Sequence, residues 1–371
     1  MFMLEALGGR YKMKTVDIIV PCYNEEDVLS VFYEETSKIV SKIEGYIFRY
    51  IFIDDGSRDK TFSILKALGE AHSEVKYISF AKNFGKEAGM YAGLKYSTGD
   101  YVIIMDADLQ HPPALIPQML SGIEEGYDCV AARRTSRKGE AKIRSVFSRM
   151  FYRLNNKMTD VDLVQGAVDF RIMTRQMVEA ILGLSEKQRF SKGIFAWVGF
   201  DTKWIPYENV ERALGQTKWS FWGLFKYAID GITAFSVAPL RMVTATGFFI
   251  SIVAFIYIIV TLIKTMISGV DVPGYVTTLS AVLFLGGIIE ISIGILGEYI
   301  AHVYMEVKNR PIFIMRNTNI NLAKLKDING NTDNADKIKI YNEVNIDRNT
   351  AEKKNSVSAE ENLHMEKKGE I

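Results

Sequence analysis

Short apolar runs alternate with longer amphipathic segments over residues 16–210 of the chain. This alternation predicts an α/β domain in which helices cover a mainly parallel sheet. The predicted strands are Val16–Pro21, Phe48–Asp54, Val75–Phe80, Tyr101–Met105 and Tyr127–Ala132. The predicted helices are Glu26–Ile43, Asp59–Gly69, Lys86–Tyr96 and Pro113–Glu124, and Asp59 is expected to cap the second of them.

Two later stretches are apolar over the length of a membrane span. Leu240–Ile263 is interrupted only by Arg241 near its start, and Val276–Ile300 carries Glu290 and Glu298 towards its end. Because a helix needs about 20 apolar residues to cross a bilayer core, both stretches predict transmembrane helices. A pair of buried hairpin helices in a soluble domain is the alternative, which these lengths disfavour.

Basic residues flank both apolar stretches on their outer sides. They are Lys218, Lys226 and Arg241 before the hairpin, and Lys308, Arg310 and Arg316 after it. The positive-inside rule therefore predicts a multi-pass protein with the α/β domain and both termini in the cytoplasm, which is compatible with a bacterial inner membrane. Residues 219–229 combine aromatic side chains with a lysine at helical spacing, which predicts a helix in the headgroup layer, with a core helix as the alternative.

These patterns divide the chain into five regions. An N-terminal extension covers residues 1–15, the cytoplasmic α/β domain residues 16–218, and an interfacial amphipathic helix residues 219–235. A two-helix transmembrane region covers residues 236–311. Residues 312–371 are rich in Asn, Lys, Glu and Asp and nearly free of aromatics, which predicts a charged, disordered tail.

The overall composition excludes two classes of protein. A net charge of +1 over 371 residues lacks the basic excess of a nucleic-acid-binding protein. The two cysteines, Cys22 and Cys129, each lie beside an apolar run and do not indicate a disulfide framework.

Polar motifs follow three of the predicted strands, as residues 21–25, 54–57 and 106–108. Ligands of open α/β sheets bind beyond the carboxyl ends of the strands, so these motifs are expected to converge there. Asp106 and Asp108 can both face one Mg²⁺ or Mn²⁺, which prefers hard oxygen ligands and is usually completed by substrate phosphates. The pattern indicates an enzyme acting on a nucleotide diphosphate, although an Asp-x-Asp tripeptide alone also occurs in solvated turns.

The motifs occur in a specific order and number. They are residues 20–26, 54–61, 83–87, 106–113, 165–171, 189–193, 215–219, 296–299 and 306–311. In this order they resemble family-2 glycosyltransferases of the GT-A (Rossmann-like) fold. The branch that fits best resembles bacterial polyprenyl-phosphate glucosyltransferases and dolichol-phosphate mannose synthase, and the resemblance covers residues 16–311.

The resemblance implies transfer of a sugar from a UDP-sugar or GDP-sugar donor to a polyprenyl phosphate in the lipid bilayer. Glucose from UDP-glucose is the first choice, because the motifs around residues 169 and 189 look most like that branch. The residues implied to bind the nucleotide sugar are Pro21, Tyr23, Glu25, Asp55, Lys86 and Asp106. Those implied to hold the metal are Asp106, Asp108 and Gln110. A surface lysine remains the alternative for Lys86.

Asp169 is the candidate catalytic base, together with Asp108 as a catalytic metal ligand. The acceptor is a phosphate monoester with a second pKa near ~6, so it needs little deprotonation at neutral pH. Asp169 is therefore expected either to act as base, to orient the sugar, or to stabilise positive charge at the anomeric carbon. A buried salt bridge to Arg171 is the structural alternative.

The acceptor phosphate and the donor diphosphate are both anions, so cations must line the approach. The candidates are Arg134, Arg137, Arg189, Lys192, Arg212 and Lys218. Nothing in the sequence points to a covalent sugar–enzyme intermediate, so direct displacement with inversion is expected. Small residues in the second span, Gly286, Gly287, Gly294 and Gly297, permit close helix packing and are compatible with a homo-oligomer.

Three other readings are weighed against this one. A processive polysaccharide synthase of the same fold would need more spans and a Gln-x-x-Arg-Trp motif, which residues 188–190 do not supply. A non-catalytic membrane lipid-binding scaffold is disfavoured by the intact Asp106, Asp108 and Asp55. A nucleotidyltransferase would want a glycine-rich phosphate loop near the N-terminus and no membrane anchor.

Overall fold

The structure is a computed structural model. It describes residues 13–135, 156, 159, 161–184, 186–208, 233, 235–268 and 274–322. The strands are β1 Lys14–Cys22, β2 Tyr46–Asp54, β3 Val75–Phe80, β4 Tyr101–Ile104, β5 Cys129–Arg134, β6 Ala167–Thr174, β7 Thr202–Tyr207 and β8 Met315–Thr318. The helices are α1 Leu29–Val40, α2 Thr61–Ala71, α3 Lys86–Tyr96, α4 Ile116–Glu124, α5 Arg175–Gly183, α6 Ser191–Trp197, α7 Ala238–Ser268 and α8 Tyr275–Val307.

The strands form one sheet in the order β7-β5-β6-β4-β1-β2-β3-β8. The pairs β1–β2, β1–β4, β2–β3 and β5–β7 are parallel, and β4–β6, β5–β6 and β3–β8 are antiparallel. The predicted mainly parallel sheet of the GT-A type is thereby confirmed. The position of β6 between β5 and β4 was not predicted.

The element boundaries differ from the predicted ones by a few residues. The strand predicted at Tyr127–Ala132 is Cys129–Arg134. Helix α2 begins at Thr61, so Lys60 rather than Asp59 occupies the N-cap position, and the predicted cap is wrong by one residue. The carboxylate of Asp59 still accepts the Thr61 N–H at 3.0 Å, which satisfies one of the free donors at the helix start.

Apolar side chains cover both faces of the sheet. Val16, Ile18 and Val20 of β1 belong to the cluster under α1 and α4, whereas Ile19 points into the opposite cluster under α3. Helix α3 approaches β1 very closely, since a methyl group at Gly93 would lie only 2.2 Å from Cγ2 of Ile19. The buried strands fix where the polar loops at their carboxyl ends can lie.

Helices α7 and α8 form the predicted apolar pair. They contain the candidate membrane spans Ala238–Tyr257 and Phe284–Val307, and neither span is buried against protein. Large apolar side chains such as Phe248 are exposed at 70% of their surface, as expected of side chains that face lipid. The predicted interfacial helix at residues 219–235 lies outside the described residues apart from Thr233 and Phe235.

The chain returns from α8 to the sheet. Strand β8 pairs antiparallel with β3, and Phe313 stacks on Phe80 with ring centroids 4.8 Å apart. Asn319 accepts the Tyr77 N–H at 2.8 Å and donates to the Val75 carbonyl at 3.0 Å. The prediction of disorder from residue 312 onwards is therefore wrong for residues 312–322, because backbone pairing and the packing of the partly buried Phe313 outweigh the polar composition. The later residues of the predicted tail lie outside the described part of the chain.

Candidate active site

The loops after β1 and β2 are joined by hydrogen bonds at the carboxyl edge of the sheet. The Asp55 N–H donates to the Cys22 carbonyl at 2.9 Å, which extends the strand pairing into the loops. Backbone N–H groups of each loop then donate to side chains of the other, in the pairs Asn24–Ser57, Glu25–Thr61, Arg58–Asn24 and Lys60–Glu26, at 2.8–2.9 Å. The predicted convergence of these motifs is confirmed, and it places Pro21, Tyr23 and Glu25 at this edge.

Asp55 fixes the loop that precedes α3. Its two carboxylate oxygens accept the N–H groups of Phe84 and Gly85, at 2.6 and 2.8 Å. Burial raises the pKa of Asp55 to about 6, although the two backbone hydrogen bonds act in the opposite direction. The predicted contact of Asp55 with the base or ribose stays a prediction, and the hydrogen bonds of this carboxylate position Lys86 at the start of α3.

Gly56 allows the β2 loop to lie against the loop that Asp55 holds. Its φ of +67° lies in the left-handed region, and a Cβ at this position would lie 2.4 Å from the carbonyl carbon of Lys82. Glycine has no Cβ to create this contact and adopts positive φ without strain. The approach of these two loops at the sheet edge therefore requires glycine.

Strand β6 brings Asp169 opposite Asp106. In the antiparallel pair β4–β6, Ile104 faces Arg171, and continuing that register by two residues places Asp106 opposite Asp169. Lys86 lies between the two carboxylates, with its Nζ 2.7 Å from Oδ1 of Asp106 and 2.6 Å from Oδ2 of Asp169. Three predicted site residues from three separate elements thus meet at one point.

The charged groups of this cluster stabilise one another in their ionised forms. Burial alone would raise the pKa of Asp169, but the attraction of Lys86, and then of Lys192, lowers it well below the usual range. Burial likewise opposes ionisation of Asp106, and Lys86 again outweighs it and lowers the pKa of that carboxyl. Burial would lower the pKa of Lys86, yet Asp106 and Asp169 raise it on balance. All three groups are therefore charged at neutral pH.

Asp106 and Asp108 offer a donor set that suits a divalent metal. The Asp108 carboxylate accepts the Gln110 N–H at 3.1 Å, so the backbone of Gln110 orients it. Within the described ranges, no group of three or more His, Cys, Asp or Glu side chains is arranged to hold a metal. Two carboxylates that leave the remaining positions to diphosphate oxygens and water are the usual arrangement for Mg²⁺, so the residues fit the implied metal.

His111 supports the metal-binding loop and was not predicted as a site residue. It is 3% exposed, stacks on Phe170 with centroids 5.3 Å apart, and accepts the Asp106 N–H at its Nδ1 at 3.1 Å. Burial lowers the pKa of the His111 imidazole, which keeps the acceptor nitrogen unprotonated. A histidine three residues after the Asp-x-Asp segment was the only sequence signal for this role.

Arg189 has a different role from the predicted one. Its guanidinium donates to the carbonyls of Ile181 and Leu184, at 3.2 and 2.9 Å, and lies over the Tyr91 ring. It is 8% exposed and closes the carboxyl end of α5, so the prediction that it binds lipid phosphate does not agree with its surroundings. Arg171 is also occupied elsewhere, since its guanidinium lies 3.8 Å from the Phe195 ring centroid, and Asp169 pairs with Lys86 instead.

Only some of the remaining predicted phosphate-binding cations lie in the part of the chain that the structure describes. Lys192 lies at the start of α6, close enough to Asp169 to lower its pKa. Arg134 ends β5, and its N–H donates to the Gly166 carbonyl at 2.9 Å, which brings the β5 end next to β6. Arg137, Arg212 and Lys218 lie outside the described residues.

Comparisons with known proteins agree with this geometry. Residues 17–182 match the model of Glycosyl transferase family 2, and residues 238–303 match the GtrB C-terminal hairpin. The chain is 48% identical to a Bacillus subtilis protein named as glycosyltransferase CsbB, over 86% of this chain and 96% of the relative. It is 40% identical to the SfII prophage-derived bactoprenol glucosyl transferase of Shigella flexneri, over 81% of this chain and 97% of the relative. The chain therefore belongs to glycosyl transferase family 2, as its motifs predicted, and carries a GtrB-type C-terminal hairpin.

Proposed function

We propose that this protein transfers glucose from UDP-glucose, with inversion, to the phosphate of a polyprenyl phosphate. The observation that carries the proposal is the convergence of Lys86, Asp106 and Asp169 at the carboxyl edge of a sheet joined to an apolar hairpin. The relative from Shigella flexneri, which is named a bactoprenol glucosyl transferase, supports glucose as the sugar and an isoprenoid phosphate as the acceptor.

Asp106 and Asp108 would hold a divalent metal, Mg²⁺ or Mn²⁺, against the donor diphosphate. Such a metal neutralises the charge that develops on the leaving nucleotide. Lys86 offers a further positive charge to the same phosphates from the start of α3. Pro21, Tyr23 and Glu25 lie at the same edge, where they would contact the nucleoside.

Asp169 faces the sugar from β6. With its pKa lowered, it is ionised at neutral pH and is suited to orient the sugar or to stabilise positive charge at the anomeric carbon. The acceptor phosphate, with its second pKa near ~6, attacks that carbon directly and needs little help from a base. Lys192, close to Asp169, attracts the incoming acceptor phosphate. The approach of this phosphate is proposed to be lined further by Arg134 and, outside the described residues, by Arg137, Arg212 and Lys218.

We place the catalytic domain at the cytoplasmic face of the membrane. Strand β8 follows α8 yet belongs to the same sheet as β1, so both flanks of the hairpin lie on one side of any bilayer that it crosses. The basic residues of these flanks favour the cytoplasmic side. The acceptor's headgroup then meets the active site at the interface while its isoprenoid chain remains among the lipids.

The proposal is tested by transfer of labelled sugar from a panel of UDP- and GDP-sugars into polyprenyl phosphate. The purified protein is assayed in detergent with Mg²⁺ or Mn²⁺, alongside Asp108→Asn and the matched control Asp201→Asn, an exposed aspartate before β7. We expect label in the lipid with UDP-glucose, loss of at least 100-fold in Asp108→Asn or with a chelator, and full transfer by the control.

Other outcomes would indicate a different function for the protein. Nucleotide hydrolysis or binding without labelled lipid would contradict a lipid acceptor. A product carrying many sugars per lipid would indicate a polysaccharide synthase. Absence of any nucleotide-sugar binding would favour a lipid-binding scaffold.

A further inference from the structure

Lys86 makes contact with both oxygens of a metal-ligand carboxylate. Its Nζ lies 2.7 Å from Oδ1 and 2.9 Å from Oδ2 of Asp106, and 2.6 Å from Oδ2 of Asp169. A lysine ammonium has three donors and no acceptor. These contacts direct all of its hydrogen-bonding capacity at two carboxylates, so Lys86 acts as the counter-ion of the cluster.

A divalent ion bound by Asp106 would compete for the same oxygens. The ammonium group and the metal carry charges of one sign, and their repulsion is strong where the surroundings are only partly hydrated. Asp106 is 28% and Asp169 14% exposed, so water screens this repulsion weakly. The metal and the ammonium group therefore cannot both be bound tightly at Asp106.

Lys86 can leave Asp106 without movement of the backbone. Asp55 holds the N–H groups of Phe84 and Gly85 just before it, so the start of α3 is fixed. The lysine side chain itself is 36% exposed and has a flexible four-carbon stem. A rotation of this stem would carry the charge from the carboxylates to a diphosphate bound beside them.

We propose that Lys86 neutralises Asp106 in the free enzyme and moves to the nucleotide diphosphate when the divalent metal binds, so that metal and nucleotide enter the site together. The proposal rests on the proposed function only in taking a nucleotide diphosphate as ligand. Each ligand then raises the affinity of the other, because the nucleotide removes the cation that opposes the metal.

The test is Mn²⁺ binding, followed by the electron paramagnetic resonance signal of free Mn²⁺, with protein alone and with protein plus UDP or GDP. We compare the wild type with Lys86→Met, which removes the charge and keeps the length of the side chain. Without nucleotide, Lys86→Met is expected to bind Mn²⁺ at least 10-fold more tightly than the wild type. With UDP, this order is expected to disappear or to reverse, because the wild type alone gains the lysine–diphosphate contact.

Three further variants make the result specific. Asp106→Asn is expected to abolish Mn²⁺ binding, which assigns the signal to this site. Lys82→Met, which removes a lysine stacked on Phe84 in the same loop, is expected to bind Mn²⁺ like the wild type. Lys86→Gln, which keeps hydrogen-bond donors without the charge, replaces Lys86→Met if the latter fails to fold and carries the same expectation.

Equal Mn²⁺ affinity of the wild type and of the neutral Lys86 variants without nucleotide would overturn the inference. A neutral variant that bound Mn²⁺ more tightly both without and with UDP would show that Lys86 opposes the metal throughout, which also overturns the transfer of its charge. Because the readout does not require sugar transfer, failure to transfer sugar to a lipid would leave this binding comparison unaffected.

Discussion

The carboxylate of Glu87 accepts hydrogen bonds from both the backbone N–H and the hydroxyl of Ser191, the N–H at 3.0 Å, and so joins the start of α3 to the start of α6. Each of these residues precedes or follows a lysine of the site. Lys86 comes directly before Glu87, and Lys192 directly after Ser191. Two of the cations that lower the pKa of Asp169, Lys86 and Lys192, are therefore held relative to each other by this partly buried contact.

Substitution of Glu87 is expected to disturb the site through this contact. Glu87→Ala removes the Oε2 atom that accepts both hydrogen bonds and leaves two donors unsatisfied, which costs about 1–3 kcal/mol of stability. Ser191→Ala removes only the hydroxyl and is expected to cost less, about 1 kcal/mol. Apparent melting temperatures in detergent measure the loss of stability in both variants. Equal melting of the two variants and the wild type would contradict the role of this contact.

Asp55 is expected to make the stability of the folded protein depend on pH. Its pKa rises from the usual 3.8 to about 6 on folding, so between about pH 4 and pH 6 the folded state binds more protons than the unfolded state. Stability should therefore fall as the pH rises through this window, by up to about 3 kcal/mol. Asp55→Asn is expected to lack this contribution.

The measurement is the difference in apparent melting temperature between the wild type and Asp55→Asn at several pH values from 4 to 7. Asp106 and Asp169, whose pKa values are lowered, act with the opposite sign at more acidic pH and are present in both proteins. They therefore cancel in the difference. A difference that does not change with pH would contradict the raised pKa of Asp55.

Two glycines with positive φ provide a matched test of loop contact. Gly56 has a φ of +67° and no room for a methyl group, whereas Gly45 has a φ of +84° and nothing within 4 Å of the added Cβ. Gly45→Ala is expected to cost only the left-handed strain, about 1–2 kcal/mol. Gly56→Ala is expected to cost more and to displace residues 82–83, which lowers transfer as well as the melting temperature. Similar losses in both variants would mean that the two loops separate easily.

The orientation of the hairpin can be tested with a single introduced cysteine. Gly274 lies exposed at the turn side of the hairpin with open space around it, and the native Cys22 and Cys129 are buried and should react slowly. We expect Gly274→Cys to react with a membrane-impermeant maleimide added to intact cells. Asp201→Cys, in the catalytic domain, should react only after the membrane is opened. The reverse pattern would place the catalytic domain outside.

The sequence predicted the elements whose patterns are local. Lys86 to Tyr96 was predicted as a helix and forms α3 with the same ends, and the motifs around Asp55 and Asp106 were correctly expected at one edge. Strand β6 was not predicted, although its apolar residues Val168, Phe170 and Ile172 alternate with charged ones. The charged Asp169 and Arg171 interrupt the apolar run that marked the other strands.

The pairing of Lys86 with Asp106 and Asp169 could not be read from the sequence. It depends on β6 lying beside β4, a neighbour relation set by packing between distant segments rather than by any local pattern. Strand β8 is a similar case, since Met315–Thr318 is polar and its partner β3 lies more than two hundred residues earlier. Arg189 was assigned to phosphate binding because its charge is visible in the sequence, whereas the carbonyls that it contacts are not.

The position of β8 also sets the order in which the protein can be completed during synthesis. This strand emerges from the ribosome after α7 and α8, yet it covers the edge of β3, and Phe313 just before it joins the aromatic surface formed by Phe80, Tyr91 and Tyr96. Until then β3 is a free edge, which invites pairing with other chains. The enzyme therefore finishes its catalytic sheet only after α7 and α8 have been made, so a nascent chain that stalls within the hairpin is left with an open sheet.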